Sequence, residues 1–342
     1  MKILITGGAG YIGSTIASAL EDAGHTPVIL DSLITGRKEF IRDRIFYHAD
    51  IADRAMVRKL FSEHPDIEAT IHCAALIVVP DSVSRPYDYY TENVVKSMTF
   101  FKLLSEINYP KLVFSSSAAI YDAVPGFMVT EESPLRPLSP YSRSKFMMEM
   151  ILRDFCVAYN LQGIALRYFN PIGADPQMRT GLHIRYPSHL IGKLVQVALG
   201  HEPVFYLTGV DWPTRDGSAI RDYLHVWDLA QAHVAAIEKF DQVIANGRED
   251  DINYTVINLG TGTGVTVKEF IEDFEKVYGA KILVVEQPPR PGDVVGAYAN
   301  ADKAYRLLGW KTKLSIADGI SDALKWGRVR DTIIHYLSVK MC

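Results

Sequence analysis

A doubly wound α/β fold on a parallel sheet is what this chain predicts, and three observations carry the expectation. Short apolar runs alternate with longer helical patterns through the first half, the order that right-handed strand–helix–strand crossovers produce. The runs ILIT, VIL, TIHCAA and LVFSS read as continuous rather than alternating, which is what strands buried on both faces require. The stretch TGGAGYIG follows the first run and opens the first helix, so its glycines sit in a strand–turn–helix context.

The elements follow in order. Lys2–Thr6 reads as the first strand, and the helix near Tyr11–Ala23 stops at Gly24, a residue that ends helices readily. Strands are expected at Thr26–Asp31 and Ile45–Ala49, a helix near Ala55–Glu63, a strand at Ala69–Cys73, a helix near Thr91–Ile107 and a strand at Lys111–Ser115. In SPYSRSKFMMEM, Ser139 and Pro140 mark the start of a helix that runs to about Tyr159, with proline in the first turn where its missing N–H costs nothing. After Pro171 the rhythm breaks into a Pro/Gly-rich segment, with loops at Gly260–Gly264 and Gln287–Gly292 and a helical tail over Gly327–Cys342. The expected organisation is a dinucleotide-binding domain of the Rossmann type over 1–171, to which segments near 220–260 return. A smaller C-terminal α/β substrate domain occupies mainly 172–342. No internal repeat or low-complexity tract is present.

The bulk composition narrows the function. Of 342 residues, 48% are apolar and 22% charged, and the net charge is −4, so nothing favours nucleic acid or an anionic membrane. No stretch approaches the length of a membrane span, and MKILITGGAG reads as a strand entering a turn rather than a signal peptide. Cys73, Cys156 and Cys342 form no C-x-x-C or Cys/His cluster, so neither a disulfide framework nor a metal site is expected, and the cytoplasm is the default compartment.

Gly7, Gly10 and Gly13 recur every three residues. Gly7 permits a tight turn, Gly10 lets the backbone approach a pyrophosphate, and Gly13 lets helix and strand pack closely. The helix start then offers N–H groups and positive dipole to phosphates. Asp31 ends the second strand in VILD, where a carboxylate accepts from both ribose hydroxyls and repels a 2′-phosphate, so NAD is favoured over NADP. Asp50 and Ile51 are expected to border the adenine. Tyr11 and Ile12 in the turn, with Ala74, Asn93, Ser115 and Tyr168, complete the expected cofactor contacts. The spacing G-x-x-G-x-x-G resembles that of the short-chain dehydrogenase/reductase superfamily.

Chemistry concentrates in FSSSAAIY and SPYSRSK. Tyr141 and Lys145 are four residues apart and so share one helix face. A chance pairing on an amphipathic helix is the bland alternative, and the serine cluster at the end of a sheet strand weighs against it. A phenol titrates near 10, so base chemistry at neutral pH needs its anion stabilised. The Lys145 ammonium and a positive nicotinamide ring both do that. Ser117 can hydrogen-bond the same substrate oxygen. Ser142 and Lys145 also spell S-x-x-K, a pattern of acyl-transfer enzymes, but its S-D-N and K-T-G companions are absent.

TGGAGYIGS, SSSAAIY, SPYSRSK, RYFNPIGA, IRDYLHVWDLA and RPGD occur in the order found in UDP-galactose 4-epimerases, and the chain resembles that family over nearly its whole length. The resemblance implies Ser117, Tyr141 and Lys145 at the catalytic positions, Asn170 at the nucleotide-sugar diphosphate, Arg221 and Arg290 as its two diphosphate arginines, and Asp293 beside the nucleoside ribose. Ala297, four residues beyond Asp293, matches the position bordering the C2 substituent of the sugar. A small residue there implies room for an N-acetyl group. The chain departs from the family pattern at Ile77, Asp122, His189 to Gly192 and Thr208, positions that bear on the nucleoside and sugar contacts.

The leading function is therefore epimerisation at C4 of a UDP-hexose through a transient 4-keto sugar, with tightly held NAD regenerated each turn. The UDP-glucose/UDP-galactose pair and its N-acetylated counterparts are the expected substrates. A 4,6-dehydratase shares the oxidation step but needs an acidic pair where this chain has Ala118 and Ala119. An epimerase for another UDP-sugar, such as UDP-glucuronate, is a further alternative. A non-catalytic NAD-binding regulator would have no use for the Ser117/Tyr141/Lys145 set. The helices near Thr91–Ile107 and Ser144–Tyr159 are apolar around more of their circumference than one sheet contact needs, so a homodimer through them is expected.

Overall fold

The computed structural model describes residues 1–248, 250–289 and 294–335. Seven strands form one parallel sheet: β1 (Lys2–Thr6), β2 (Thr26–Asp31), β3 (Ile45–His48), β4 (Ile67–His72), β5 (Lys111–Ser117), β6 (Gln162–Tyr168) and β7 (Tyr254–Leu259). Their order is β7-β6-β5-β4-β1-β2-β3, so the order reverses beside β1, the switch point at which such sheets take ligands. The chain has the predicted doubly wound architecture. The principal helices are α1 (Tyr11–Asp22), α2 (Arg54–Glu63), α3 (Lys96–Glu106), α4 (Pro140–Ala158), α5 (Leu190–Ala198), α6 (Val226–Glu238), α7 (Val267–Tyr278) and α8 (Ile316–Ile333).

The continuous apolar runs are explained by two cores, one on each face of the sheet. Ile3, Ile5, Ile29, Ile71 and Val113 pack toward α1 and α6, while Leu4, Val28, Leu30, Leu112 and Phe114 pack toward α2, α3 and α4. Each strand thus alternates between the two cores rather than between core and solvent. A third core joins α5, α7 and α8 in the second half of the chain.

Several boundaries differ from expectation. The helix read near Thr91–Ile107 begins earlier, at Pro86, and passes through a π-helical turn at Thr91–Val95 before α3. Proline fits a first helical turn, so Pro86 starts the segment. The strand read as Ala69–Cys73 is Ile67–His72, and β5 continues through Ser117. The tail helix starts at Ile316 under a Ser315/Asp318 capping box rather than at Gly327; 336–342, with Cys342, lie outside the described residues. Gln287 ends a short strand, Val284–Gln287, instead of opening a loop.

His72 shows what double-sided burial does to a polar side chain. It is 1% exposed on β4, with Nδ1 2.7 Å from Thr6 Oγ1 and Nε2 2.9 Å from Ser97 Oγ, and it stacks with Phe100 and Phe114. Burial pulls its pKa down from 6.5 to about 3, and that of His233 on α6 to about 4. Below pH 6.5 the unfolded chain binds protons that the native state refuses, so stability falls with pH until those folded values are reached. The slope is on the order of 1 kcal/mol per pH unit for each histidine. The urea midpoint of the protein is expected to drop between pH 7 and pH 5; an unchanged midpoint would contradict neutral burial of both rings.

Candidate active site

The glycine turn lies between β1 and α1. Gly7 has φ +71°, and a Cβ there would come 2.6 Å from the Ala74 nitrogen at the end of β4, so only glycine allows both the turn and the approach. A Cβ at Gly13 would lie 2.3 Å from the Gly7 carbonyl oxygen, which is why α1 can start this close to β1. Gly10 differs: an added Cβ would meet only the Gly7 oxygen, at 3.3 Å, so its bare Cα keeps space open in front of the turn. Gly10 also caps α1 without any side-chain hydrogen bond, leaving the N–H groups of Ile12 and Gly13 to an anion. The cradle fits a pyrophosphate. The Tyr11 hydroxyl donates to the Gly173 carbonyl at 2.6 Å, tying this turn to the segment that follows Asn170.

Asp31 stands at the end of β2, 7% exposed. Its two oxygens accept from the Leu33 and Ala9 N–H groups at 2.8 and 2.9 Å. Burial pushes the Asp31 pKa upward, and those two bonds hold it back. Each oxygen retains a lone pair, so the carboxylate fits a ribose diol. Asp50 accepts from Lys96 Nζ at 2.6 Å and from the Ala52 N–H at 2.8 Å, while Ile51 is buried in the core beneath it. Asn93 is committed to the protein. Its amide oxygen accepts from Leu76 N, and its two N–H groups go to the Leu76 carbonyl and Ser144 Oγ. It braces the segment after Ala74 against α4.

The helix start read from Ser139 and Pro140 is a capping box in which Ser139 and Ser142 hydrogen-bond each other's backbone. Tyr141 and Lys145 consequently project from one face toward the end of β5. The Tyr141 hydroxyl faces Ser117; burial pushes its pKa up, and the Ser117 side chain holds it back. Ser117 Oγ also accepts from Ala119 N at 3.2 Å. Lys145, 4% exposed, donates to the Ser115 carbonyl at 2.7 Å and lies over the Phe114 ring. Burial lowers its pKa to about 8, opposed by Cys73 and Glu149. The Tyr168 hydroxyl is hydrogen-bonded to His233. His233 Nδ1 faces the Leu229 carbonyl at 2.8 Å, so its Nε2 accepts from the Tyr168 hydroxyl.

The opposite wall comes from the second half of the chain. Asn170 is exposed at the start of a short strand, Asn170–Ile172, paired in parallel with Tyr223–His225. Arg221 donates to the Val295 and Val294 carbonyls at 2.9 and 3.0 Å. Gly296, with φ +108°, makes that approach possible, since a Cβ there would overlap both the Ile220 oxygen and the Arg221 guanidinium. Asp222 is fully buried and accepts from Thr261, Gly262 and Ala299, which locks the Ala299 strand beside Arg221. Ala297 packs against a buried cluster of Tyr121, Val129, Phe169 and Ala299, which Ala118, the residue after Ser117, also touches. Arg290 and Asp293 lie outside the described residues. Among the departures, His189 caps α5, Thr208 ends the strand Phe205–Thr208, Asp122 lies 3.9 Å from Arg136, and Ile77 is exposed.

Sequence reasoning passed over Glu149, Arg167, Asp222 and His233. Only Glu149, one turn beyond Lys145, carried a local spacing signal. Among the described residues no group of His, Cys, Asp and Glu side chains is placed to hold a metal ion, and no helix is long and apolar enough to cross a membrane.

The family model described as NAD dependent epimerase/dehydratase matches residues 3–260. UDP-glucose 4-epimerase of Bacillus subtilis is 40% identical over 336 residues, covering 95% of this chain and 96% of that protein. The structure of a Stenotrophomonas UDP-glucose 4-epimerase, solved with NAD and a formylated UDP-arabinopyranose, aligns with a TM-score of 0.89 at 36% identity, covering 97% of this chain and 99% of its own. A UDP-Glc/GlcNAc 4-epimerase from Campylobacter jejuni aligns with a TM-score of 0.79 at 35% identity, covering 96% and 99%. The chain belongs to the NAD-dependent epimerase/dehydratase family, among its UDP-glucose 4-epimerases.

Proposed function

We propose that this enzyme interconverts UDP-glucose and UDP-galactose by NAD-dependent epimerisation at C4, and that it also accepts the N-acetylated pair. The observation that carries the reading is the Tyr141 hydroxyl against Ser117, with Lys145 one turn further on, at the end of the sheet that holds the glycine cradle. Gly7, Gly10, Gly13, Tyr11, Ile12 and Asp31 hold the dinucleotide, with Asp50, Ile51, Ala74, Ser115 and Tyr168 lining its path and Asn93 bracing it. NAD, when bound, supplies a hydride acceptor that becomes the donor for the return step.

Tyr141 takes the proton of the C4 hydroxyl as the carbonyl forms and returns it when the alcohol is restored. Ser117 donates a hydrogen bond to the same oxygen, holding it still while charge develops. Lys145, fixed by the Ser115 carbonyl, keeps a cation beneath the phenol. Asn170, Arg221, Arg290 and Asp293 grip the UDP portion, bidentate guanidinium contacts being suited to phosphate. With that handle fixed, the keto ring can present either face. The 1–171 segment thus serves mainly the cofactor and 172–342 mainly the UDP-sugar.

The enzyme works as a homodimer through α3 and α4. Supporting this, Met98, Met147, Met150 and Val157 are exposed on those two helices, with Val95 exposed in the π-helical turn that leads into α3, an apolar face that a second copy would cover. It acts in the cytoplasm, a reading supported by the free thiols Cys73 and Cys156.

Asp31→Ala is expected to weaken NAD retention and narrow the preference for NAD over NADP, because ribose hydrogen bonds and repulsion of a 2′-phosphate are both lost. Titration of the stripped protein with both dinucleotides reads this, and an unaltered preference would make Asp31 a turn residue only. The reaction itself is tested by incubating purified protein with UDP-galactose without added NAD. UDP-glucose is the expected product. A 4-keto-6-deoxy sugar would point to dehydration, and no conversion of any UDP-sugar in a panel would point to a regulator.

A further inference from the structure

Beneath the Ser117/Tyr141/Lys145 set lies a charged pair with no part in the steps above. Ser116, Arg167 and Asn258 are in-register neighbours on β5, β6 and β7, so their side chains share the sheet face toward α4. Glu149 descends onto them from α4, four residues and one turn beyond Lys145. Glu149 and Arg167 are each 4% exposed.

The contacts are directional. Glu149 Oε1 accepts from Ser116 Oγ and from Arg167 Nε at 3.0 Å, and Oε2 accepts from Arg167 Nη2 at 2.8 Å. Arg167 Nη1 donates to the Tyr121 hydroxyl at 2.8 Å and the Glu131 carbonyl at 3.0 Å. The Tyr121 hydroxyl donates in turn to Asn258 Oδ1 at 2.7 Å. Ser116 precedes Ser117, Tyr121 closes the short helical turn that follows it, and Glu149 rides on the helix that carries Tyr141 and Lys145. One carboxylate therefore clamps the strand bearing Ser117 to the helix bearing the other two.

A well-packed apolar pair would be at least as stabilising as buried charges here, because desolvation opposes the attraction. What an apolar pair lacks is fixed distance and angle, and those are what a catalytic constellation needs from its supports. We propose that Glu149 and Arg167 are positioning residues that set the register of α4 on β5, so that Tyr141 and Lys145 meet Ser117, and that the Glu149 carboxylate helps to keep Lys145 protonated. The inference rests on the 4-epimerase reading for its chemistry, but not for its geometry.

The groups facing Lys145 agree with the electrostatic part. His72 approaches from the end of β4 and Cys73 from the residue after it, and Tyr141 and Glu149 lie on its own helix. His72 is held neutral by burial and the Cys73 thiol is pushed up to about 12, so at neutral pH Glu149 is the negative charge that opposes the lowering of Lys145 by burial.

Glu149→Gln alone strands a buried guanidinium and threatens folding. The test therefore uses Glu149→Gln/Arg167→Gln, which removes both charges and keeps hydrogen-bonding shape, beside Glu149→Asp, which keeps both charges and draws the carboxylate back from Ser116. Both are expected to retain bound NAD and a KM for UDP-galactose within about threefold of the parent. Their kcat should fall by up to about 10²-fold, the scale of a misplaced constellation. In the double variant, the alkaline limb of the kcat–pH profile should move to lower pH. Acylation of Lys145 in the stripped protein, followed by peptide mass spectrometry, should likewise rise at lower pH. That second readout stands even if the sugar chemistry is different, and an inactive parent enzyme would overturn the functional reading alone. Wild-type kcat in Glu149→Asp, or a double variant whose pH profile and Lys145 reactivity superimpose on the parent, would overturn the positioning role.

Discussion

Tyr141→Phe is expected to fold normally, keep its NAD and lose most of its epimerase activity. The substitution removes one oxygen from a ring held at the start of α4, and the capping box that starts the helix involves only Ser139 and Ser142, so local structure has no reason to change. What disappears is the hydroxyl that faces Ser117, and with it the base for the C4 hydroxyl. General bases contribute ~10²–10⁴-fold, which sets the expected loss in kcat. Cofactor released on denaturation and turnover of UDP-galactose are the two measurements. Near-parent turnover would remove Tyr141 from the chemistry.

Ala297→Tyr is expected to abolish activity on UDP-N-acetylglucosamine and UDP-N-acetylgalactosamine while sparing UDP-galactose. Ala297 packs against the cluster of Tyr121, Val129, Phe169 and Ala299, against which Ala118, the residue after Ser117, also packs. A phenol built there would take the volume that an acetamido group needs, whereas a hydroxyl requires far less. Exclusion by overlap discriminates strongly, while spare room rejects little, so the parent enzyme should turn over both pairs. Parent enzyme active on UDP-galactose but inactive on both N-acetylated sugars would show that Ala297 does not shape this pocket.

The first half of the fold was legible because its signals are local. Continuous apolar runs announced buried strands, glycines at three-residue spacing fell where a Cβ would meet backbone at Gly7 and Gly13, and Ser139-Pro140 marked the start of α4. The second half was less legible for a physical reason. Strands such as Ile220–Arg221, Val265–Thr266 and Tyr298–Ala299 are two residues long, too short to show a period, and they exist because tertiary partners hold them. The same holds for the polar supports of the site. Asp222 is satisfied by segments 39 and 77 residues further along the chain, and His233 becomes meaningful only when α6 brings it to Tyr168. Glu149 and Arg167 show no sign of a shared role until β5, β6 and α4 are assembled. Even Asn93 changed meaning: both its N–H groups serve the protein, which a one-dimensional reading cannot reveal.

The central claim is that hydride leaves C4 of the sugar and returns to the same carbon without passing through solvent. UDP-galactose carrying deuterium at C4 tests it directly, with the purified protein and no added NAD. The account predicts UDP-glucose that retains the deuterium at C4, with none gained from solvent when unlabelled substrate is run in deuterium oxide. UDP-glucose that has lost its label to water, or acquired one from it, would contradict the account.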